Sequence, residues 1–222
     1  MFWQEVRRIM DILIKEVMTL RKKCKDVGFA TQKRLGTDDR DPRHGCFAQI
    51  FNTSTLTVEL LSYYFNCWKR QANGSKEEIE EKRKENAERV ILITKMHFIN
   101  CMSAIEFCMK EKLRLFQDNG LSKWYTEKLD DSKPVYMRSI VKESEKNGII
   151  TTKELEFWEC LIDVRNFMVH NNAIADKTEI CDLDGIQVEF VQGQMIRGKL
   201  GFLTKLADKS VDLYKLWVEK QI

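Results

Sequence analysis

Two prolines and ten glycines in 222 residues leave this chain few places to break. Inside a helix proline costs about 3 kcal/mol and glycine about 1 kcal/mol, so their scarcity favours long helices and argues against an all-β fold. The apolar spacing agrees. From Phe2 to about Lys25, Val6, Ile9, Met10, Leu13, Val17 and Leu20 recur at three- and four-residue steps, the stripe of a helix packed on one side. Gly28 is expected to stop that helix. The polar run that follows, GFATQKRLGTDDRDPRHG, reads as a loop over 28–45 of about fifteen residues, a length at which loops are functional or mobile. A second helix is expected from about Cys46 to Gln71, with Phe51, Val58, Leu61, Phe65 and Trp68 as its apolar positions, before ANGS breaks the chain.

Ser75 and Glu78 have the spacing of a capping box. Carboxylates then precede lysines by four residues, as in Glu78 with Lys82 and Glu80 with Lys84, the pattern of solvated helical turns. This run leads into VILITKMHFINCMSAIEFCMKEKLRLF, apolar on most sides and therefore central in a bundle; His97 within it reads as a hydrogen-bonded core residue. Shorter helices are expected around SKWYTEKL and from Val135 to Lys146, stopped by Asn147 and Gly148. Thr151 with Glu154 is a second capping box, which starts a helix near residue 152. Beyond Asn172, TEICDLDGIQVEFVQGQMIRG alternates β-prone runs with turns at Asp184-Gly185 and Gln192-Gly193 and reads as a β-hairpin or small meander. A last amphipathic helix uses Leu200, Leu203, Leu206, Val211, Leu213 and Trp217. The fold class expected is all-α, with a small β-hairpin before the C-terminal helix, in a single domain over 1–222.

The net charge is only +3, from 37 basic and 34 acidic residues, which does not fit a duplex-binding protein held by a broad cationic face. Seven cysteines, an odd number without a C-x-x-C pair, fit a reducing cytoplasm. The amphipathic start is no secretory signal, and no eighteen-residue uninterrupted apolar run is present, so no membrane partner is expected. Asp38, Asp39, Asp41 and His44 match no ligand spacing, and neither a metal nor a cofactor is expected. Glycine-rich phosphate loops and nucleophile elbows are also missing.

One stretch does not fit plain packing. LIDVRNFMVHNN, residues 161–172, carries an arginine, an asparagine and one of three histidines on an otherwise apolar helix. At about 100° per residue, Arg165 falls in the middle of the apolar side formed by Leu155, Trp158, Leu161, Ile162, Val164, Met168 and Val169. A guanidinium there needs a carboxylate, a cleft or an interface, and Glu106 is the expected partner. His170 lies on the polar side, with Asn166 one turn before it and Asp163 two turns before. An amide at that spacing can fix the imidazole tautomer for proton transfer. Arg165 and His170 diverge by about 140° on a straight helix, so their convergence requires a loosened helix or the reach of arginine.

Arg165-Asn166-x-x-x-His170 resembles the signature of HEPN domains, an arginine usually followed by a polar residue and then a histidine four to six positions on. The motif closes a late helix after a long central one carrying SAIEFCMKEKL, and the resemblance covers residues 76–221, which leaves 1–75 as a helical extension to a 76–222 core. It implies a helical bundle that dimerises so that two motifs face one cleft, and a metal-independent endoribonuclease acting on RNA, in a toxin-antitoxin or phage-defence setting. His170 would transfer protons, Arg165 would hold the phosphate and Asn166 would position either, with Glu106 and Asp163 in support. A non-catalytic module that binds RNA, a nucleotide or a partner protein is the alternative. Where one branch of the family carries a tyrosine two residues past the histidine, this chain has Asn172, which argues against silencing by tyrosine modification there and leaves another antitoxin or regulatory partner.

Overall fold

The computed structural model describes residues 2–38, 40–70, 75–116, 119–132, 134–196 and 201–221, with side chains in the first two helices from Arg7 to Cys67. Among them are seven helices and one hairpin: α1 (Phe2–Leu35), α2 (Pro42–Arg70), α3 (Lys76–Leu115), α4 (Gly120–Asp130), α5 (Met137–Lys146), α6 (Thr152–His170), β1 (Glu179–Asp182), β2 (Gln187–Phe190) and α7 (Phe202–Glu219). The mostly helical class and the hairpin before the last helix are as expected. Both capping boxes form, Ser75 with Glu78 and Thr151 with Glu154, so the starts of α3 and α6 are fixed by local hydrogen bonds. β1 and β2 pair antiparallel from Glu179 opposite Phe190 to Asp182 opposite Gln187. Their turn places Asp184 and Gly185 at positive φ, the backbone a tight hairpin requires.

The long loop expected over 28–45 does not exist. α1 continues seven residues beyond Gly28 to Leu35, and α2 begins at Pro42. Gly28 lies inside the helix because a Cβ there would stand 3.2 Å from Phe47 Cβ: its absence lets α1 and α2 approach. The break comes instead at Gly36, whose φ of +63° suits glycine, and at Asp41-Pro42. Proline at a first helical position loses no intrahelical bond. Asp41 caps α2 through Arg43 N–H at 2.9 Å and also grips the Arg43 guanidinium, while His44 Nδ1 lies 3.3 Å from Thr37 Oγ1. Among the described residues no three metal-ligating side chains cluster; Asp39 lies outside them. The expected apolar positions Val6, Trp68 and Leu200 also fall outside the described side chains.

α3 is the axial helix, packed against α2, α4, α6 and α7. Leu20 and Cys24 of α1 and Cys46, Phe47 and Ile50 of α2 belong to one core with Phe98, Ile105, Trp158, Leu161, Leu206 and Trp217 from α3, α6 and α7. A smaller cluster of Met10, Leu13, Val17, Leu61 and Val90 closes the far end of the first three helices. Two buried aromatic donors tie α7 into place, Tyr214 Oη to Pro42 O and Trp217 Nε1 to Ser144 Oγ, both at 3.0 Å. His97 is buried with Nε2 3.0 Å from Ser54 Oγ, and burial pushes its pKa down to about 4. The seven cysteines are free, and burial pushes the Cys24 thiol up to about 12. α3 is apolar over much of its length without being an uninterrupted apolar run, since Lys95 and Glu106 lie within it. It holds an eighteen-residue window of mean hydropathy 1.3, long and apolar enough to cross a membrane by length and composition, one third of it buried inside this fold.

Candidate functional site

α6 is buried along one side by Phe157, Trp158, Leu161, Ile162, Val164 and Met168, and that packing carries Arg165 to the surface edge of the core. Its side chain is about a quarter exposed. Arg165 Nη2 stands 3.9 Å from Glu106 Oε2 on α3, and Nη1 donates to Asn166 Oδ1 at 3.0 Å. Glu106 also accepts from Lys110 Nζ at 2.7 Å. The guanidinium is therefore braced by a carboxylate from the neighbouring helix and by the amide next to it.

These groups open onto a cleft of about 410 Å³ between α3, α5 and α6. Glu106, Arg165 and Asn166 form one wall, and Tyr136, Arg138 and Lys142 form the other. The second wall was not anticipated from the sequence. Met137, Ile140, Val141 and Ser144 bury the inner face of α5, which turns Arg138 and Lys142, one helical turn apart, outward over the cleft. Tyr136, just before the helix, is nearly two thirds exposed. A basic pair four residues apart beside an exposed aromatic was the signal available in the sequence. Three cations line the cleft, and each has a carboxylate partner, Glu106 in the case of Arg165. Arg138 and Lys142 are restrained by Asp163 and Glu159 on α6.

Two expected site residues lie elsewhere. Asp163 is buried and does not approach His170: it accepts from Arg138 and, at 2.7 Å, from Lys177 Nζ, so it bridges α5 to the start of the hairpin. Burial works against the Lys177 ammonium, but its bonds to Asp163 and Glu179 outweigh that and raise its pKa. His170 is exposed in the last turn of α6 and is not part of the cleft wall. Asn166, expected to hold the imidazole, is used by Arg165 instead, and among the described residues His170 has no side-chain hydrogen bond. The helix stays regular to His170 and ends on Asn171, so nothing loosens to bring the two motif ends together.

No family model, curated protein or solved structure matches the chain. The chemistry of this region therefore rests on its own geometry. It offers a braced guanidinium, two further cations, an amide and an aromatic surface, with an imidazole on the same helix facing outward. Groups of this kind can contact a phosphodiester, the cations by sharing their carboxylate bonds with phosphate oxygens and the ring by stacking on a base.

Proposed function

We propose that this chain is a HEPN-type, metal-independent endoribonuclease that works as a homodimer in a reducing cytoplasm, in toxin-antitoxin or phage-defence biology. One observation carries the reading: Arg165 and Asn166 of the motif share a cleft with Arg138, Lys142 and Tyr136. RNA is the substrate because the reaction uses its own 2′-hydroxyl. A base removes the 2′-hydroxyl proton, that oxygen attacks phosphorus, and an acid delivers a proton to the departing 5′-oxygen. The products are a 2′,3′-cyclic phosphate and a free 5′-hydroxyl. Arg165 stabilises the phosphorane charge, His170 transfers protons, and Asn166 keeps Arg165 oriented. Glu106 positions the guanidinium, and Asp163 positions Arg138.

His170 outside the cleft makes the second copy necessary. The surface for it is an apolar stripe on α3, where Leu92, Met96 and Phe107 are exposed along one face with Ser103 between them. Two-fold pairing through this stripe brings the partner's histidine toward the Arg165 cleft, so each site draws on both chains. The regulator, an antitoxin or another protein, acts by blocking this pairing or the cleft.

The test is incubation of purified protein with labelled RNA in excess chelator. Cleavage leaving 2′,3′-cyclic ends, lost in Arg165→Ala and in His170→Ala, is the expected result. A second reading is favoured by the engagement of Arg165 with Glu106 and Asn166 and by the outward His170: a non-catalytic module that binds RNA, a nucleotide or a protein. No cleavage across a broad RNA panel, with binding unaffected by His170→Ala, selects that alternative and removes the enzyme.

A further inference from the structure

A second cleft, of about 530 Å³, lies between α1, the start of α7 and the β1–β2 turn, and it shares no residue with the Arg165 cleft. Its volume falls in the usual range of small-molecule sites, about 300–1,000 Å³. Ile12, Leu183 and Ile186 supply apolar wall. Thr204, in the first turn of α7, is 97% buried by its 3% exposure, and among the described residues its Oγ1 has no hydrogen-bond partner. Glu16 also lines the cleft, and its Oε2 is likewise buried without a partner. The carboxylate lies close against the helix start: a Cβ at position 201 would stand 2.2 Å from Oε2, and the end of the Glu16 side chain would have to shift to admit it. Gly201 itself provides α7 with no side-chain cap. Two unsatisfied polar groups in one cleft are a cost that packing does not explain.

Most of the surrounding charge is already committed. Asp184 is held by Lys153 and Lys209, while Asp208 and Asp212 are held by Lys23. Among the described residues, the charges left facing the cleft without an ion pair are Glu16 and the exposed Lys15 and Lys205. Burial raises the Glu16 carboxyl above its ordinary range, with Lys205 opposing it. The cleft therefore asks for hydrogen-bond donors at Glu16 and Thr204, a flat apolar body, and an anion reaching the two ammoniums.

We infer that the cleft between α1, α7 and the hairpin turn binds a nucleoside monophosphate, with sugar hydroxyls on Glu16 and Thr204, the base against Ile12 and Ile186, and the phosphate on Lys15 and Lys205. A ribose hydroxyl pair is a good donor set for a carboxylate. A free amino acid has the right charges but leaves most of the volume unfilled. This site stands independently of the ribonuclease reading, since neither needs the residues of the other.

Isothermal titration of the intact protein with AMP, adenosine and inorganic phosphate tests it. AMP should bind at least about tenfold more tightly than adenosine, a difference of about 1.4 kcal/mol. Lys15→Ala with Lys205→Ala should erase that difference, while Glu16→Gln and Thr204→Val weaken both ligands. Melting curves check that each variant is folded; the two lysines are on the surface, so that arm survives if Thr204→Val does not fold. The proposal is overturned if AMP, GMP, CMP and UMP all fail to give heat or raise the melting temperature at millimolar concentration. It is also overturned if phosphate alone competes fully and Glu16→Gln has no effect, or if Arg165→Ala abolishes binding while the Lys15 and Lys205 changes do not.

Discussion

Arg165 and His97 are both polar side chains on buried helices, and their surroundings give them opposite roles. His97 is enclosed, satisfied by Ser54 and kept neutral by burial, with its pKa pushed down to about 4. In the unfolded chain it takes up a proton near its ordinary value of about 6.5. A depressed folded pKa means that the stabilisation is complete above the unfolded value and is lost as pH falls through the folded one. Between about pH 7 and about pH 4, His97 should account for about 3 kcal/mol of lost stability, measurable by urea denaturation. In His97→Gln that part of the acid sensitivity should disappear; an unchanged pH profile would show that the buried imidazole does not control it. Arg165, by contrast, is partly open and braced by a carboxylate at 3.9 Å. The pair is long and partly open to the cleft, so Arg165→Ala should remain folded, and a melting curve matching the wild type lets its effect on RNA cleavage be read as chemistry. Glu106→Gln should leave the fold equally intact while lowering cleavage through a less restrained guanidinium. Full activity in Glu106→Gln would remove its positioning role.

Helix boundaries were readable from the sequence wherever the signal is local and failed where it depends on a distant neighbour. Ser75 with Glu78, Thr151 with Glu154 and the turn at Asp184-Gly185 each complete their hydrogen bonds or backbone geometry within a few residues, and each appears where the spacing places it. Gly28 misled because a glycine inside a helix is indistinguishable in sequence from one that ends it; only Phe47, nineteen positions on, explains it. Gly28→Leu should therefore overpack the α1–α2 crossing and cost about 1–3 kcal/mol, readable as a lower urea midpoint. Stability at the wild-type level would show that the two helices are free to separate. The same distinction applies to the site. Glu106 was found as the partner of Arg165 because both interrupt apolar helical faces, whereas Arg138 and Lys142 look like ordinary surface charges until α5 is folded over α6. Asp163 and Asn166 lay at suitable helical spacing from His170, but Arg138, Lys177 and Arg165 compete for them and win.

The arrangement as a whole leaves a motif divided between two directions: Arg165 faces a cleft and His170 faces solvent at the end of the same straight helix. On the ribonuclease proposal, a monomer with this geometry would have its phosphate-binding arginine without its proton carrier. Pairing through the exposed face of α3 resolves the division if the guanidinium of one copy works with the imidazole of the other, and that arrangement predicts a specific pattern of complementation. Arg165→Ala and His170→Ala homodimers should both be inactive. When the two variants are unfolded together and refolded as a mixture, half of the dimers are mixed, and each mixed dimer contains one site with both groups intact. Cleavage should return to about a quarter of the wild-type rate by this two-fold counting. Phe107→Glu, which places a charge in the apolar stripe, should prevent both dimerisation in sedimentation equilibrium and the recovery of activity. Were each chain to pair its own arginine and histidine, a mixed dimer would contain no intact site, and the refolded mixture would remain inactive.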